Sequence, residues 1–298
     1  MSTTQNAFRS GFVALVGRPN VGKSTLLNAF IGRKVAITSK RPQTTRNAIR
    51  GVLTGDDYQI IFVDTPGLHK PKSLLGERLN DVVHRTLVEV DAIVFMVDAT
   101  QPVGHGDEFV ARAVLAAGTP AICVVNKSDI AKEAQMFPQL EAATDLGDWR
   151  EIVPVSAVRG TNVDTLQRLL ADLLPEGPKF YPDDMVSDQP RDVLLAELIR
   201  EKALHVTRQE VPHSIAVVTD ETIEREDGIL EIRATIFVER DSQKGIVIGK
   251  GGSMLKEIGT RAREDLEWLM GTKVFLQLHV KVAKEWQRDP RALERLGY

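Results

Sequence analysis

Eight consecutive residues, Gly17, Arg18, Pro19, Asn20, Val21, Gly22, Lys23 and Ser24, match the phosphate-binding pattern G-x-x-x-x-G-K-[ST]. Its two glycines let the backbone wrap a polyphosphate, so that successive N–H groups face the phosphate oxygens. Lys23 can reach the β- and γ-phosphates and the Ser24 hydroxyl can ligate Mg²⁺. Thr25 opens the helix that follows, whose N-terminal dipole adds positive potential. A second strand-like run, residues 59–63, ends in Asp64, Thr65, Pro66 and Gly67. An acid at a strand end beside a phosphate loop can hold Mg²⁺ through a water. Gly67 can offer its N–H to a γ-phosphate and move when that phosphate leaves. A third run, residues 121–125, ends in Asn126, Lys127, Ser128 and Asp129. Asp129 can accept two hydrogen bonds from the N1–H and exocyclic amine of guanine, a pair that adenine lacks. Asn126 can reach the N7 side of the base, and the Lys127 stem can lie across its ring. Ser156 and Ala157 stand after the run 152–155, where backbone N–H groups could meet guanine O6.

These segments need a frame that delivers each to the same place. Residues 12–16 read as a buried strand and 25–31 as a helix, the context that gives the glycine loop its meaning. Residues 33–46, polar and interrupted by Pro42, read as a mobile loop. Residues 47–53 and 59–63 read as a strand pair turned at 54–57. Helices are expected at 74–90, 106–117 and 163–174, with strands at 92–97, 121–125 and 152–155. Alternating strands and helices predict an α/β domain: a mostly parallel sheet covered on both faces, with ligands at the carboxyl ends of its strands.

The whole chain narrows the setting. Its 298 residues predict about two domains at roughly 150 residues each. An apolar share of 43% suits real cores, and a net charge of −3 gives no bulk basic attraction to nucleic acid. The single Cys123 cannot form an intramolecular disulfide, and the six histidines lack metal-ligand spacing. No run of about 20 apolar residues occurs, so a cytoplasmic protein is expected, with loose membrane contact left open.

The first part of the chain resembles a small GTPase of the translation-factor-related class. Its five guanine-nucleotide motifs appear in order at 17–24, Thr45, 64–67, 126–129 and 156–157. The resemblance implies GTP or GDP and Mg²⁺ as ligands, with Ser24, Thr45 and Asp64 around the metal. Either Thr44 or Thr45 could supply the loop hydroxyl; Thr45, directly before Arg46, matches the family position. Lys23, Thr45, Gly67 and Asn20 are the expected catalytic set. Many such enzymes place Gln directly after D-x-x-G to orient the attacking water. Here that residue is Leu68, so unaided hydrolysis should be slow. Relatives with an apolar residue there often carry Asn at the position of Asn20, where it helps to hold a K⁺ ion.

Residues 174–190 carry five prolines or glycines among charges, which places the domain boundary there. The expected division is a GTPase domain over 1–176, a linker over 177–190 and a second domain over 191–298. Helix 193–206, strands 214–218 and 229–239, helix 253–270, strand 273–282 and a C-terminal helix 285–298 are expected. Gly249, Lys250, Gly251 and Gly252 form a G-x-x-G turn that resembles the clamp of a KH domain. Bare glycines let a sugar-phosphate backbone approach, Lys250 and the next helix offset its charge, and unpaired bases would lie in an apolar groove lined by Ile246 and Ile248. Lys256 and other basic residues could add a local positive face. A glycine turn that only packs strand against helix is the simpler alternative. The order helix-strand-strand-helix-helix-strand predicts a smaller α+β type II KH domain. A GTPase domain joined to such a domain is similar to the Era GTPases, and so is the end of the chain, residues 291–298. That resemblance implies a monomeric GTP-hydrolysing switch that binds the 3′ end of 16S rRNA, assists 30S ribosomal subunit maturation and associates peripherally with the inner membrane. Three other readings stay open: a signalling GTPase whose second half binds protein, an ATP-dependent phosphotransferase, and a nucleotide-binding protein without turnover.

Overall fold

The computed structural model describes residues 7–39, 41, 44–71, 73–207 and 211–298, with the side chains of 212 and 213 left aside. The chain divides into two compact units, whose main bodies meet in sequence between Asp188 and Gln189.

The first unit holds a six-stranded sheet in the order β2-β3-β1-β4-β5-β6. Its strands are β1 (Arg9–Gly17), β2 (Ile49–Thr54), β3 (Tyr58–Asp64), β4 (Ala92–Asp98), β5 (Ala121–Asn126) and β6 (Ile152–Val155). All neighbours run parallel except β2 and β3, which form a hairpin. The central strands are apolar on both faces; every residue of β4 and β5 is buried. This is the pattern of strands covered by helices on either side. Here the covers are α1 (Lys23–Ile31), α2 (Leu74–Glu89), α3 (His105–Ala117), α4 (Glu133–Asp145) and α5 (Val163–Leu173). One core packs Leu26, Leu27, Leu166 and Leu170 under the sheet; the other packs Val83, Leu87, Val110 and Val114 above it.

β1 lies between β3 and β4, so the chain leaves it toward one edge of the sheet and later returns to the other. Crevices form at such reversal points, at the carboxyl ends of the strands. The Gly17–Ser24 loop follows β1 there, and Asp64 and Asn126 close β3 and β5. Topology thus gathers three motifs that lie far apart in sequence. α4 is an element that the sequence reading passed over; Pro138 inside it and weak apolar spacing hid it.

The second unit contains α6 (Arg191–Val206), β7 (Ala216–Glu224), β8 (Leu230–Val238), α7 (Asp241–Ile248), α8 (Ser253–Met270), β9 (Val274–Val282) and α9 (Pro290–Arg295). The expected order of elements is present. β7 and β8 pair antiparallel, and β9 adds to β8 in parallel, giving the sheet β7-β8-β9. Fully buried Arg200 forks onto Glu197 at 2.6 and 2.7 Å, the bidentate geometry that makes an internal charge tolerable. Trp286 is also fully buried, donating its indole N–H to the Ser214 carbonyl at 3.0 Å and stacking on Tyr298.

Residues 245–248 end α7, the first of the two successive helices in the expected order, for which the sequence offered no bounds. One segment differs from expectation. The single C-terminal helix is instead a short turn at Trp286–Arg288 followed by α9. Pro290 has no N–H to continue a helix, but it fits a first turn, and Asp289 caps that turn by accepting from the Arg291 N–H.

Candidate functional site: a guanine-nucleotide pocket and a glycine-turn cleft

Asp64 leaves β3 with no solvent exposure. Its Oδ2 accepts hydrogen bonds from Ser24 Oγ at 2.6 Å and Thr45 Oγ1 at 3.1 Å, and those two hydroxyls lie 2.9 Å apart. Its Oδ1 is buried and has no hydrogen-bond partner. Two hydroxyls and one carboxylate therefore converge, with an acceptor to spare, as a hard cation with oxygen ligands requires. The donor set fits Mg²⁺. The Thr44 hydroxyl instead donates to the Arg41 carbonyl at 2.7 Å, so Thr45 is the threonine that joins the cluster.

Lys23 is buried, with Nζ bonded to the carbonyls of Gly17 at 3.1 Å and Arg18 at 3.0 Å. Burial pushes its ammonium down to about 8, against the opposing pull of the Asp64 charge. Burial likewise pushes the Asp64 carboxyl above its usual range, opposed by Lys23, Ser24 and Thr45. Two strained charges sit beside a loop built to receive more charge. Gly67 lies flat on Pro19: a Cβ there would stand 2.7–2.8 Å from Pro19 atoms. Thr65 anchors this turn from behind, donating to the Leu15 carbonyl at 2.8 Å, and Pro66 is buried next to it. Leu68 points into the core, 1% exposed, and its N–H donates to the Gly17 carbonyl at 3.3 Å. Its side chain is no candidate for orienting water. Asn20 is exposed on the loop in the left-handed region, φ 67°, a conformation Asn tolerates.

On the base side of the pocket Asn126 bonds within the protein: Nδ2 donates one hydrogen to the Val21 carbonyl at 2.8 Å, and Oδ1 accepts from the Ala157 N–H at 3.1 Å. It is a strut between the phosphate loop and the loop after β6. The Ala157 N–H meets that strut, and the Ser156 N–H meets the Thr161 carbonyl at 3.1 Å. Ser156 acts through its side chain, donating to Asp129 Oδ1 at 2.7 Å and fixing that carboxylate. Two further residues escaped the sequence reading. Asp98 holds Lys127 Nζ at 2.5 Å. Burial raises the Asp98 carboxyl, but bonds from Lys127 and Thr100 outweigh it and keep the group below its usual range. Asp107 of α3 accepts from Arg18 Nε at 2.7 Å. Asp98 ends an apolar strand as Asp64 does, which was the available signal; nothing in the sequence pointed from Asp107 to Arg18.

In the second unit the G-x-x-G turn joins α7 to α8. Gly249, Gly251 and Gly252 have φ of 74°, 61° and 80°. A Cβ on Gly249 would collide with Met254 at 2.7 Å, whereas Gly251 and Gly252 face open space. Beside the turn a cleft of about 470 Å³ runs between α8 and β9. Gly252, Leu255, Lys256 and Arg263 line one wall, and Val274, Leu276 and Leu278 the other. Ile246 and Ile248 do not line it; they sit on the last turn of α7, with Val247 between them buried in the core. Lys250 is exposed at the turn. Arg261 and Lys273 are tied to Glu257 and Glu267, so they add little to a positive face. Among the described residues no helix is long and apolar enough to cross a membrane, and no group of three or more His, Cys, Asp or Glu is placed to hold a metal.

A family described as 50S ribosome-binding GTPase matches residues 12–127, and a KH domain family matches residues 210–287. GTPase Era of Mycobacterium avium is 55% identical over 98% of this chain and 99% of its own length. The chain belongs to the Era GTPases. GTPase Era of Mycobacterium tuberculosis is 54% identical over the same share of each chain. Two solved Era structures, each 42% identical, align with a TM-score of 0.94 over 98% of this chain and 99% of theirs. One is an Aquifex aeolicus Era variant bound to GDP and aluminium fluoride, and the other holds MgGDPNP and nucleotides 1506–1542 of 16S ribosomal RNA. The chain is thus a GTP-hydrolysing Era GTPase that uses GTP or GDP with Mg²⁺, and its smaller α+β unit is a KH domain.

Lys23 must carry its proton to meet a phosphate, and its free-state pKa is about 8. Bound phosphate raises that value, so binding takes up a proton wherever the free lysine is neutral. GDP affinity, measured by titration calorimetry, is expected to be level below pH 8 and to fall as pH rises above it. A flat profile through pH 9.5 would contradict the buried state of this lysine.

Proposed function

We propose that this Era GTPase is a nucleotide-controlled clamp on the 3′ end of 16S rRNA and assists 30S subunit maturation. The observation that carries the proposal is the open face of Gly251 and Gly252 at the head of the α8–β9 cleft, with Lys250 and Lys256 beside it. A sugar-phosphate backbone can approach the main chain only where no side chain intervenes, and the apolar cleft floor suits unstacked bases. The relative whose solved structure contains 16S rRNA nucleotides supports the same reading. Residues 1–176 would form the GTPase domain, 177–190 a linker and 191–298 the RNA-binding domain. The chain would act as a monomer in the cytoplasm, with peripheral contact to the inner membrane as the family resemblance implies.

In the GTPase domain, Ser24, Thr45 and Asp64 hold Mg²⁺, which when bound neutralises charge on the β- and γ-phosphates. Gly17, Arg18, Pro19, Val21, Gly22 and Thr25 shape the phosphate cradle, and Lys23 reaches the terminal phosphates. Gly67 senses the γ-phosphate through its N–H, and Thr65 and Pro66 set its turn. Asp129 selects guanine; Asn126, Lys127, Ser156 and Ala157 position it. Asn20 supplies part of a K⁺ site, giving positive charge where other GTPases bring in an arginine. If GTP strengthens RNA binding, RNA strengthens GTP binding by the same factor.

Substitution tests the clamp best at the lysines, because Gly249 also packs on Met254 and its replacement would damage the fold. Lys250→Asp and Lys256→Asp are each expected to weaken binding of a 16S 3′-end oligonucleotide about tenfold, the loss of about 1.4 kcal/mol, without changing GTP turnover. Unchanged RNA affinity would favour a protein-binding second domain instead. For the cation, phosphate release in K⁺ is expected to exceed that in Na⁺ by about tenfold or more, the scale expected when one positive charge is withdrawn from the transition state. Equal rates in the two salts would remove Asn20 from the catalytic set.

A further inference from the structure

α3 begins against the phosphate loop at two adjacent residues. Asp107, 1% exposed, accepts from Arg18 Nε at 2.7 Å through one oxygen. Its other oxygen accepts from the Gly104 N–H at 3.1 Å and caps the helix. The carboxylate is therefore fixed in place before Arg18 reaches it. Next to it, Gly106 leaves a slot filled by the Arg18 side chain: a Cβ on Gly106 would stand 2.5 Å from Arg18 Cδ. The Arg18 carbonyl, on the other side of the same residue, accepts from Lys23 Nζ. The backbone of the loop at residue 18 is thus held between a helix it does not belong to and the lysine that meets the phosphates.

We infer that Asp107, with the slot at Gly106, is a positioning residue for nucleotide binding: it acts through Arg18 to hold the phosphate loop in its gripping shape. The pair is bonded to none of Ser24, Thr45 and Asp64 and touches no reacting atom. It acts on the part of the loop that GDP and GTP share, so its loss should weaken the two alike. An effect of that kind raises KM and the GDP dissociation constant and leaves kcat in place. The inference rests on guanine-nucleotide binding in this pocket, which the unaltered protein reports on its own in the same experiment.

Gly106→Ala is the decisive variant. Gly106 lies in the first turn of α3 without a left-handed φ, and alanine is the better helix former. The substitution should therefore keep or raise the thermal midpoint while it evicts Arg18 from its slot. The expected result for the full chain is a GDP dissociation constant and a KM for GTP raised about tenfold or more, as the loss of one charge-assisted bond implies, with kcat within about twofold. Arg18→Gln and Asp107→Ala should give the same split. Their combination should be no worse than either alone, because the two side chains work as one unit. Asp107→Asn, which keeps an oxygen for Arg18, should recover part of the affinity. Unchanged KM and dissociation constant in Gly106→Ala would overturn the inference. So would losses that multiply in the double variant, or losses that track falling thermal midpoints across the set.

Discussion

The structure of this Era GTPase turns on a carboxylate that has been taken out of water without being fully satisfied. Asp64 is buried, one oxygen carries two hydroxyl bonds and the other has none. Burying a charge is costly unless a counter-charge arrives. Lys23, the cation closest in function, spends its bonds on loop carbonyls and is itself pushed toward neutrality. In the proposed reading the ligand resolves this conflict: Mg²⁺ would answer the carboxylate and the phosphates would answer the lysine. The three elements that meet at Asp64, namely the end of β3, the start of α1 and the loop carrying Thr45, are those that must register whether a triphosphate is present.

A second set of bonds keeps the rest of the pocket in register with that centre. Asn126 ties the phosphate loop to the loop after β6, Asp98 holds Lys127, and Ser156 aims Asp129. Residues that a motif presents as ligand contacts are here partly a scaffold for one another. Base recognition and phosphate binding are therefore mechanically linked through Val21 and Asn126, and rigid supporting shells of this type set the precision of a site. In the proposed reading the KH domain would use the same chemical device in a looser form: its two open glycines leave the main chain accessible, and a helix and an edge strand line the cleft beside them.

Much of this is legible in the sequence. The glycine loop, Asp64 and Asp129 announced themselves because phosphate, metal and guanine each demand particular atoms at the end of a strand. The alternation of apolar runs placed those ends together. What stayed hidden was relational. Nothing in N-K-x-D says that its asparagine bonds inward to Val21, because the partner lies 105 positions away. Asp107 is one of two acids in the first turn of α3, and its spacing from Arg18 carries no signal. The periodicity of α4 was blurred by Pro138, and the helix that the expected order required before the glycine turn had no readable bounds, so Ile246 and Ile248 could not be placed on its last turn. Thr44 and Thr45 could not be separated by composition; their different hydroxyl partners separate them.

The claim beneath all of this is that the cluster of Ser24, Thr45 and Asp64 is completed by Mg²⁺ on a triphosphate. Equilibrium binding of GDP and of a non-hydrolysable GTP analogue, each with Mg²⁺ and with a chelator, measures that directly. The account predicts that Mg²⁺ strengthens binding of both and strengthens the analogue more, because only the analogue brings a γ-phosphate to the loop that carries Thr45. Equal affinities with and without Mg²⁺ for the analogue would contradict it.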